Sequence, residues 1–323
     1  MRILVTGGSG FIGNHLMVLL ETRGYQSVNF DLSSPKNVSQ KKYYRSGSIL
    51  DMDELMRTMA DFRPTHVVHL AALAVMEGKS ISDFRANTQG TSNVIAAVQA
   101  TPSVERLLVT STQHVRRPGS GPAAHDEDYE PLMLYGESKV ITEQLTRTAN
   151  LSCCWTIVRP TTVWGPGHVT MADGLLRLIS QGRYVHPAND PVLRSYGYVK
   201  NVVWQLEQIL FAEKSAIDRK TFYVADANMR QLDWVNAISV GLTGRPVRTV
   251  PLCFISLLAK FGDVLRSVGL RFPMYSSRLE NLTSQNHVPI EPTLQLLGAS
   301  PIGLDQGIEE TVAWFNDYRS DKA

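Results

Sequence analysis

Nine residues near the N-terminus, VTGGSGFIG at 5–13, constrain this chain more than any other stretch. A short apolar run, 2–6, feeds into them and a helical apolar period leaves them, so Gly8, Gly10 and Gly13 stand in GxGxxG spacing at a strand-to-helix turn. Missing side chains there let backbone N–H groups approach a pyrophosphate at the positive end of the helix. The unit then repeats. Apolar runs at 27–31, 66–71, 106–111 and 155–159 alternate with helix-like stretches at 13–23, 51–62, 82–100 and 135–149. This predicts an α/β protein on a Rossmann-type, doubly wound parallel sheet. Beyond Pro160 the rhythm turns irregular, with GPG at 165–167 and a His186-Pro187 pair, so a smaller interleaved C-terminal substrate lobe is expected. The expected dinucleotide-binding domain is 1–163, with 194–228 returning to it, and the lobe is 164–193 with 229–323.

One strand further on, the sequence points to the cofactor. Asp31 closes the second apolar run at the distance expected of an acid that binds the adenosine ribose hydroxyls. Its charge repels a 2′-phosphate and no arginine follows in Leu32-Ser33-Ser34, so NAD is expected rather than NADP. A formal net charge of +2 with dispersed Lys and Arg gives no basic stripe, which argues against a nucleic-acid partner and leaves a small-molecule substrate. Three cysteines, two of them adjacent at 153 and 154 in an apolar run, suit reduced thiols in the cytoplasm better than a disulfide framework or a metal cluster. No metal is expected. The opening MRILVTGG is too short an apolar run for a signal peptide or a membrane span. The segment LCFISLLAKFGDVLRSVGL, 252–270, is apolar enough to rest on a membrane, but Lys260, Asp263 and Arg266 interrupt it and a helix packed on the core is expected.

The stretch LYGESK, 134–139, carries the second chemical signal. On a helix Tyr135 and Lys139 lie one turn apart on one face, so the ammonium is expected to favour the ionised phenol and bring it towards working pH. By itself the spacing is that of an ordinary surface pair. What changes its meaning is Thr112, ending a strand 23 residues earlier.

With these residues in view the chain resembles the extended short-chain dehydrogenase/reductase family, in particular its NAD-dependent epimerase/dehydratase branch acting on nucleotide sugars. The likeness rests on TGGSGFIG, HLAAL at 69–73, Asn87 in FRANTQGT, the Ser/Thr strand end at 110–112, YGESK, RPTTVWGPG at 159–167, RSYGYVKNV at 194–202 and LGASPIGLDQGIEETVAWF at 297–315. It implies that Gly7, Gly10, Ile12 and Gly13, beside Phe11, hold the pyrophosphate. Leu70, Ala71 and Ala72 would floor the cofactor site with Asn87 and Pro160 alongside, and Ser48 and Ile49 would meet the adenine. By the same resemblance Thr112 hydrogen-bonds the substrate oxygen, Tyr135 moves the proton, and Lys139 holds the nicotinamide ribose. Arg194 matches an arginine that grips a nucleotide diphosphate, with a structural ion pair as its rival reading. A homodimer is also implied, through a four-helix bundle formed by 82–100 and the Tyr135 helix. Phe84, Val94, Ile95, Ala97 and Val98 cover more than one stripe of 82–100, as a second buried face would require.

Departures narrow the chemistry. Ser48 replaces an acid on the adenine side, and Thr162 stands where epimerases of the branch often carry an asparagine. In TSTQHVRR, 110–117, Gln113 and His114 occupy the place of the acidic pair of 4,6-dehydratases. A glutamine is no proton donor, so that reaction loses its acid. His114 remains open as a base or as a local hydrogen-bonding residue. The reading placed first is an NAD-dependent nucleotide-sugar C4 epimerase. Behind it stand a 4-ketosugar reductase, a 3β-hydroxysteroid-type dehydrogenase, and a non-catalytic NAD sensor.

Overall fold

Short runs rich in Val, Ile and Leu become strands here because helices cover both of their faces. In the computed structural model, which describes residues 1–322 apart from 77, 122, 189, 190, 268, 271, 273 and 274, the chain starts with β1 (Arg2–Thr6), α1 (Phe11–Thr22) and β2 (Gln26–Asp31). It continues through β3 (Tyr44–Ser46), α2 (Met52–Phe62), β4 (His66–His69), α3 (Gln89–Gln99), β5 (Arg106–Thr110), α4 (Leu134–Thr148) and β6 (Cys154–Pro160). With the later strand Lys220–Val224 these form a seven-stranded sheet, ordered Lys220–Val224, β6, β5, β4, β1, β2, β3, in which every pair is parallel.

The period-two alternation of the strands sorts the core into two layers. Ile3 and Val5 pack with Leu16, Met17 and Val202 on one face, and Leu4 packs with Leu55, Val94 and Leu107 on the other. Burying each such side chain contributes roughly 1.5–3 kcal/mol. Thr6 is level with both Phe30 and His69, and Thr110 with Val158, so the carboxyl ends of the strands line one edge of the sheet. That edge is where open α/β sheets bind their ligands.

Contacts group the chain into two compact units. The first comprises 1–163, 197–226 and 289–301; the second comprises 164–196, 227–288 and 302–323. In the first, helix Val199–Phe211 packs on α1, and Thr293 donates to the Tyr223 carbonyl at 2.6 Å. In the second, residues 193–196 pair antiparallel with Ala227–Arg230, and Tyr196 stacks on Trp234 with centroids 4.2 Å apart.

Two sequence expectations change. The helix expected over 82–100 is a 3-10 turn, Ile81–Phe84, followed by α3, and Phe84, Val94, Ile95, Ala97 and Val98 are all buried within this one chain. Their breadth needs no second subunit to explain it. The apolar segment at 252–270 does form a helix, Leu252–Ser267, but only Ile255, Ala259 and Gly262 of it are buried. Among the described residues no helix is long and apolar enough to cross a membrane.

Candidate active site

The glycine turn is fixed by crowding. Gly7 has φ +78, and a Cβ there would run into the backbone of Leu70 and Ala71; a Cβ on Gly13 would strike the Gly7 carbonyl. Gly10 donates to that same carbonyl at 3.1 Å and is the N-cap of α1, with no side-chain cap and no acid in the first turn. The spacing used is therefore Gly7, Gly10 and Gly13, while Gly8 is small because a Cβ would meet the Asn29 side chain. Phe11 leans edge-on to His15 and Ile12 packs against the core. Behind the turn, Leu70 donates its amide to the Thr6 carbonyl at 3.0 Å and Ala71 to the Thr6 hydroxyl at 3.4 Å, with Ala72 following.

At the end of β2, the Asp31 carboxylate accepts from the Ser9 amide at 3.0 Å and the Ser33 amide at 2.9 Å. This anchors it beside the glycine turn. Ser48 accepts from the Leu50 amide at 3.1 Å, and buried Ile49 packs against Gly90. A helix end of bare backbone, a turn with no room for side chains, and an anchored acid one strand away fit a dinucleotide with free ribose hydroxyls.

Chemistry concentrates on α4. Its buried face reads Tyr135, Ser138, Lys139, Thr142, Glu143 and Thr146, a polar stripe at helical spacing. Its hydroxyls and its carboxylate find partners. Ser138 donates to the Tyr135 carbonyl at 2.7 Å and accepts from Asn87 Nδ2 at 2.8 Å; Thr142 donates to the Asn87 carbonyl at 2.7 Å. Asn87, which is fully buried, also accepts from the Leu73 amide at 2.7 Å and donates to the Leu73 carbonyl at 3.0 Å. Both ends of its amide are thus engaged, and it acts as a joint between the Leu73 loop and α4 rather than as an open cofactor contact. His69 joins the cluster between the Thr6 and Thr91 hydroxyls, at 2.8 and 3.1 Å, and burial with the nearby Lys139 charge pushes it down to about 3, so the ring is neutral.

Deeper on the same helix, Glu143 forms a two-pronged ion pair with Arg159 of β6, both contacts 2.8 Å, and accepts from the Tyr129 hydroxyl at 2.9 Å. Burial alone would raise this carboxyl; Arg159 holds it below its ordinary range. Sequence reasoning missed the pair. The signal was present in the spacing, since Glu143 lies one turn beyond Lys139 as Lys139 does beyond Tyr135.

Thr112 caps the 3-10 turn Gln113–Val115, its hydroxyl accepting from the His114 amide at 3.3 Å, and its side chain stands close to the Tyr135 phenol. Tyr135 is 8% exposed and Lys139 3%. The expectation that Lys139 would bring the phenol down is not met: burial pushes Tyr135 up, and the nearby Thr112 hydroxyl offsets this only partly. Burial likewise drops Lys139 to about 8, against the pull of Glu143. The His114 ring stands edge-on to Tyr135 with centroids 6.3 Å apart. Thr162 accepts from Gln113 Nε2 at 3.4 Å, and Pro160 ends β6. Arg194 lies in the second unit, where its Nε donates to Gln231 at 2.8 Å. Thr112, Tyr135, Lys139 and the cofactor-side residues therefore all belong to the first unit.

Comparison with known proteins follows from this geometry. The sequence model of the NAD dependent epimerase/dehydratase family matches residues 3–224. The chain is 33% identical over 193 residues to the 2-alkyl-3-oxoalkanoate reductase of Stenotrophomonas maltophilia, covering 57% of each chain. It is 32% identical over 198 residues to the 3 beta-hydroxysteroid dehydrogenase/Delta 5-->4-isomerase of Mycobacterium tuberculosis, covering 56% of this chain and 52% of that one. These matches thus span just over half the length of either relative. The UDP-glucose 4-epimerase of Thermus thermophilus, solved in complex with NAD, shares the fold with a TM-score of 0.71 at 22% identity, over 98% of this chain and 99% of that one.

Proposed function

This chain belongs to the NAD dependent epimerase/dehydratase family, and from that premise we propose that it is an NAD-dependent oxidoreductase interconverting a secondary alcohol and its ketone on an apolar hydroxy- or oxo-lipid of the steroid or long-chain acid kind. The bound cofactor would supply the hydride chemistry. The protein supplies the proton and the positioning. Thr112 and Tyr135, whose side chains stand close together, form a two-point clamp for the reacting oxygen, and the phenol gives or takes the proton there. Its raised affinity for that proton makes Tyr135 a donor at rest; a cationic nicotinamide beside it would bring the phenol down. Lys139, behind it, holds the nicotinamide ribose. Gly7, Gly10, Gly13 and Asp31 hold the rest of the dinucleotide, with Ile49 and Ser48 beside the adenine.

The buried phenol of Tyr135 close to the Thr112 hydroxyl, with Lys139 one turn further on, is the observation that carries the reaction class. For the substrate, the names of the two relatives above support a lipid. Of the groups that would serve a nucleotide sugar, Thr162 stands in place of the expected asparagine and accepts from Gln113, and the Arg194 Nε donates to Gln231. Nucleotide-sugar C4 epimerisation, put first on sequence alone, becomes the second reading, favoured by the shared fold of the sugar epimerases. In either case His114 has no proton to move.

A panel tests this. Purified protein with NAD is offered a 3β-hydroxysteroid, a 2-alkyl-3-hydroxyalkanoate, and UDP-, GDP- and dTDP-sugars. NADH should accumulate in step with product on one of the lipids. Conversion of a sugar with no net NADH would replace this reading by the epimerase, and binding of NAD with no turnover of anything offered would leave only a sensor.

A further inference from the structure

Helix Leu252–Ser267 is amphipathic with its wide side outward. The buried residues, Ile255, Ala259 and Gly262, form a narrow stripe at i, i+4, i+7. Phe254, Leu257, Leu258, Phe261 and Val264, at i, i+3, i+4, i+7 and i+10, share the opposite face and are 46–67% exposed. At 100° per residue they span an arc of about 120°, as wide as the stripe a surface helix normally turns inward. No charged residue falls within that arc.

Charge around the arc says what covers it. Between 245 and 270 stand Arg245, Arg248, Lys260 and Arg266 against Asp263 alone, a formal +3, whereas the whole chain carries +2, leaving −1 for everything else. The Asp263 carboxylate is turned to the Ser276 amide, at 3.1 Å, and to its hydroxyl. Lys260 is exposed at the flank of the arc, and Arg245 and Arg248 are exposed just ahead of the helix. Arg266 lies on the buried side of the helix, stacked on Tyr275 at 3.9 Å, so the basic rim is Lys260 at the flank with Arg245 and Arg248 ahead of it, and an apolar face so bordered is matched by acyl chains beneath anionic headgroups. A second copy seated on the same face would bring two such rims together, like charge on like.

We propose that the Leu252–Ser267 helix lies in the surface of an anionic lipid bilayer, its Phe254–Val264 face among the acyl chains and its basic rim at the phosphates. With 16 residues the helix rests on the membrane and does not cross it. The attachment is peripheral and salt-sensitive, and it is independent of which substrate the site takes.

Flotation of the full chain with liposomes tests it, using phosphatidylcholine alone and phosphatidylcholine mixed with phosphatidylglycerol, at low and high salt. The protein should float with the mixed vesicles, less so at high salt. The Leu257→Glu/Phe261→Glu variant should bind more than about tenfold more weakly with an unchanged circular dichroism spectrum, because it drives two carboxylates into the acyl region. Tyr135→Phe should float like the wild type, which separates this surface from the active site. Absence of wild-type binding to either vesicle, or binding undiminished in the double variant, overturns the proposal. So does a dimer in light scattering that the double variant disperses while vesicle binding is absent, since the face then belongs to a second copy.

Discussion

Helices α4 and Leu252–Ser267 break the same rule in opposite directions. The first buries Tyr135, Ser138, Lys139, Thr142, Glu143 and Thr146; the second exposes Phe254, Leu257, Leu258, Phe261 and Val264. A polar face is tolerable inside only if its groups are paired, and on α4 the serine, the threonines and the carboxylate are, through Asn87, backbone carbonyls and Arg159. An apolar face is tolerable outside at little cost to the fold, because leaving it wet merely forgoes a gain. Inversion inward thus has to be supported by neighbouring elements, whereas inversion outward needs nothing until a partner arrives. The energetics therefore differ: α4 should be brittle and the outer helix indifferent.

The comparison breaks most visibly at the reacting group. Tyr135→Phe removes one hydroxyl from the brittle face, and turnover of the substrate identified by the panel should fall about 10²–10⁴-fold. The thermal shift produced by NAD should be preserved. A rate within a few-fold of wild type would show that the proton travels by another route.

Glu143→Ala removes half of the buried pair and strands Arg159, which should lower stability in urea by about 3–5 kcal/mol. Replacing both partners together, Glu143→Leu with Arg159→Met, should be milder, since the fully buried guanidinium is gone and Arg147, which also meets Glu143 at 3.4 Å, keeps its bond to Thr221. Equal losses from the single and double variants would mean that the pair matters only as packing.

Lys139 gives a pH signature. Burial lowers its ammonium from 10.5 to about 8, so between those pH values the folded chain has lost a proton that the unfolded chain retains. Stability should therefore rise with pH across that window, relative to Lys139→Met, by roughly 1–3 kcal/mol. A flat difference between the two proteins would show that the ammonium is solvated. At the small end, Leu257→Glu on the outer helix should change stability in plain buffer by no more than about 0.5 kcal/mol. A larger loss would mean that this face is covered within the chain, and the contrast between the two helices would collapse.

The sequence displayed the sheet well because strands covered on both faces must be apolar throughout, and β1, β2, β4, β5 and β6 fall within two residues of where their runs predict them. The strand Lys220–Val224 was not read as one, since its assignment depends on pairing with β6 across 60 residues of chain. Helical periodicity in 82–100 was real but misleading. Asn87 bonds the Leu73 loop on one side and α4 on the other, and the chain turns around it before α3 starts at Gln89. At the candidate site, the one-turn pairing of Tyr135 with Lys139 and the glycine turn were visible because both are written in local spacing. Arg159 was not, as it meets Glu143 only when β6 is laid beside α4. The outer helix shows the converse limit: its apolar period was plain, but periodicity does not say which side faces water.

One further consequence concerns exposed backbone at the edge of the site. The Leu73 loop is irregular and its side chains are largely exposed, yet its amide proton is held by the buried Asn87 carbonyl, whose own amide group is tied to α4 through Ser138. In deuterated solvent that proton should leave on the timescale of the core strands, hours behind its neighbours at 74–76, because releasing it requires α4 to come away from Asn87. A single slow amide in a fast loop would report, without substrate or cofactor, whether α4 is seated.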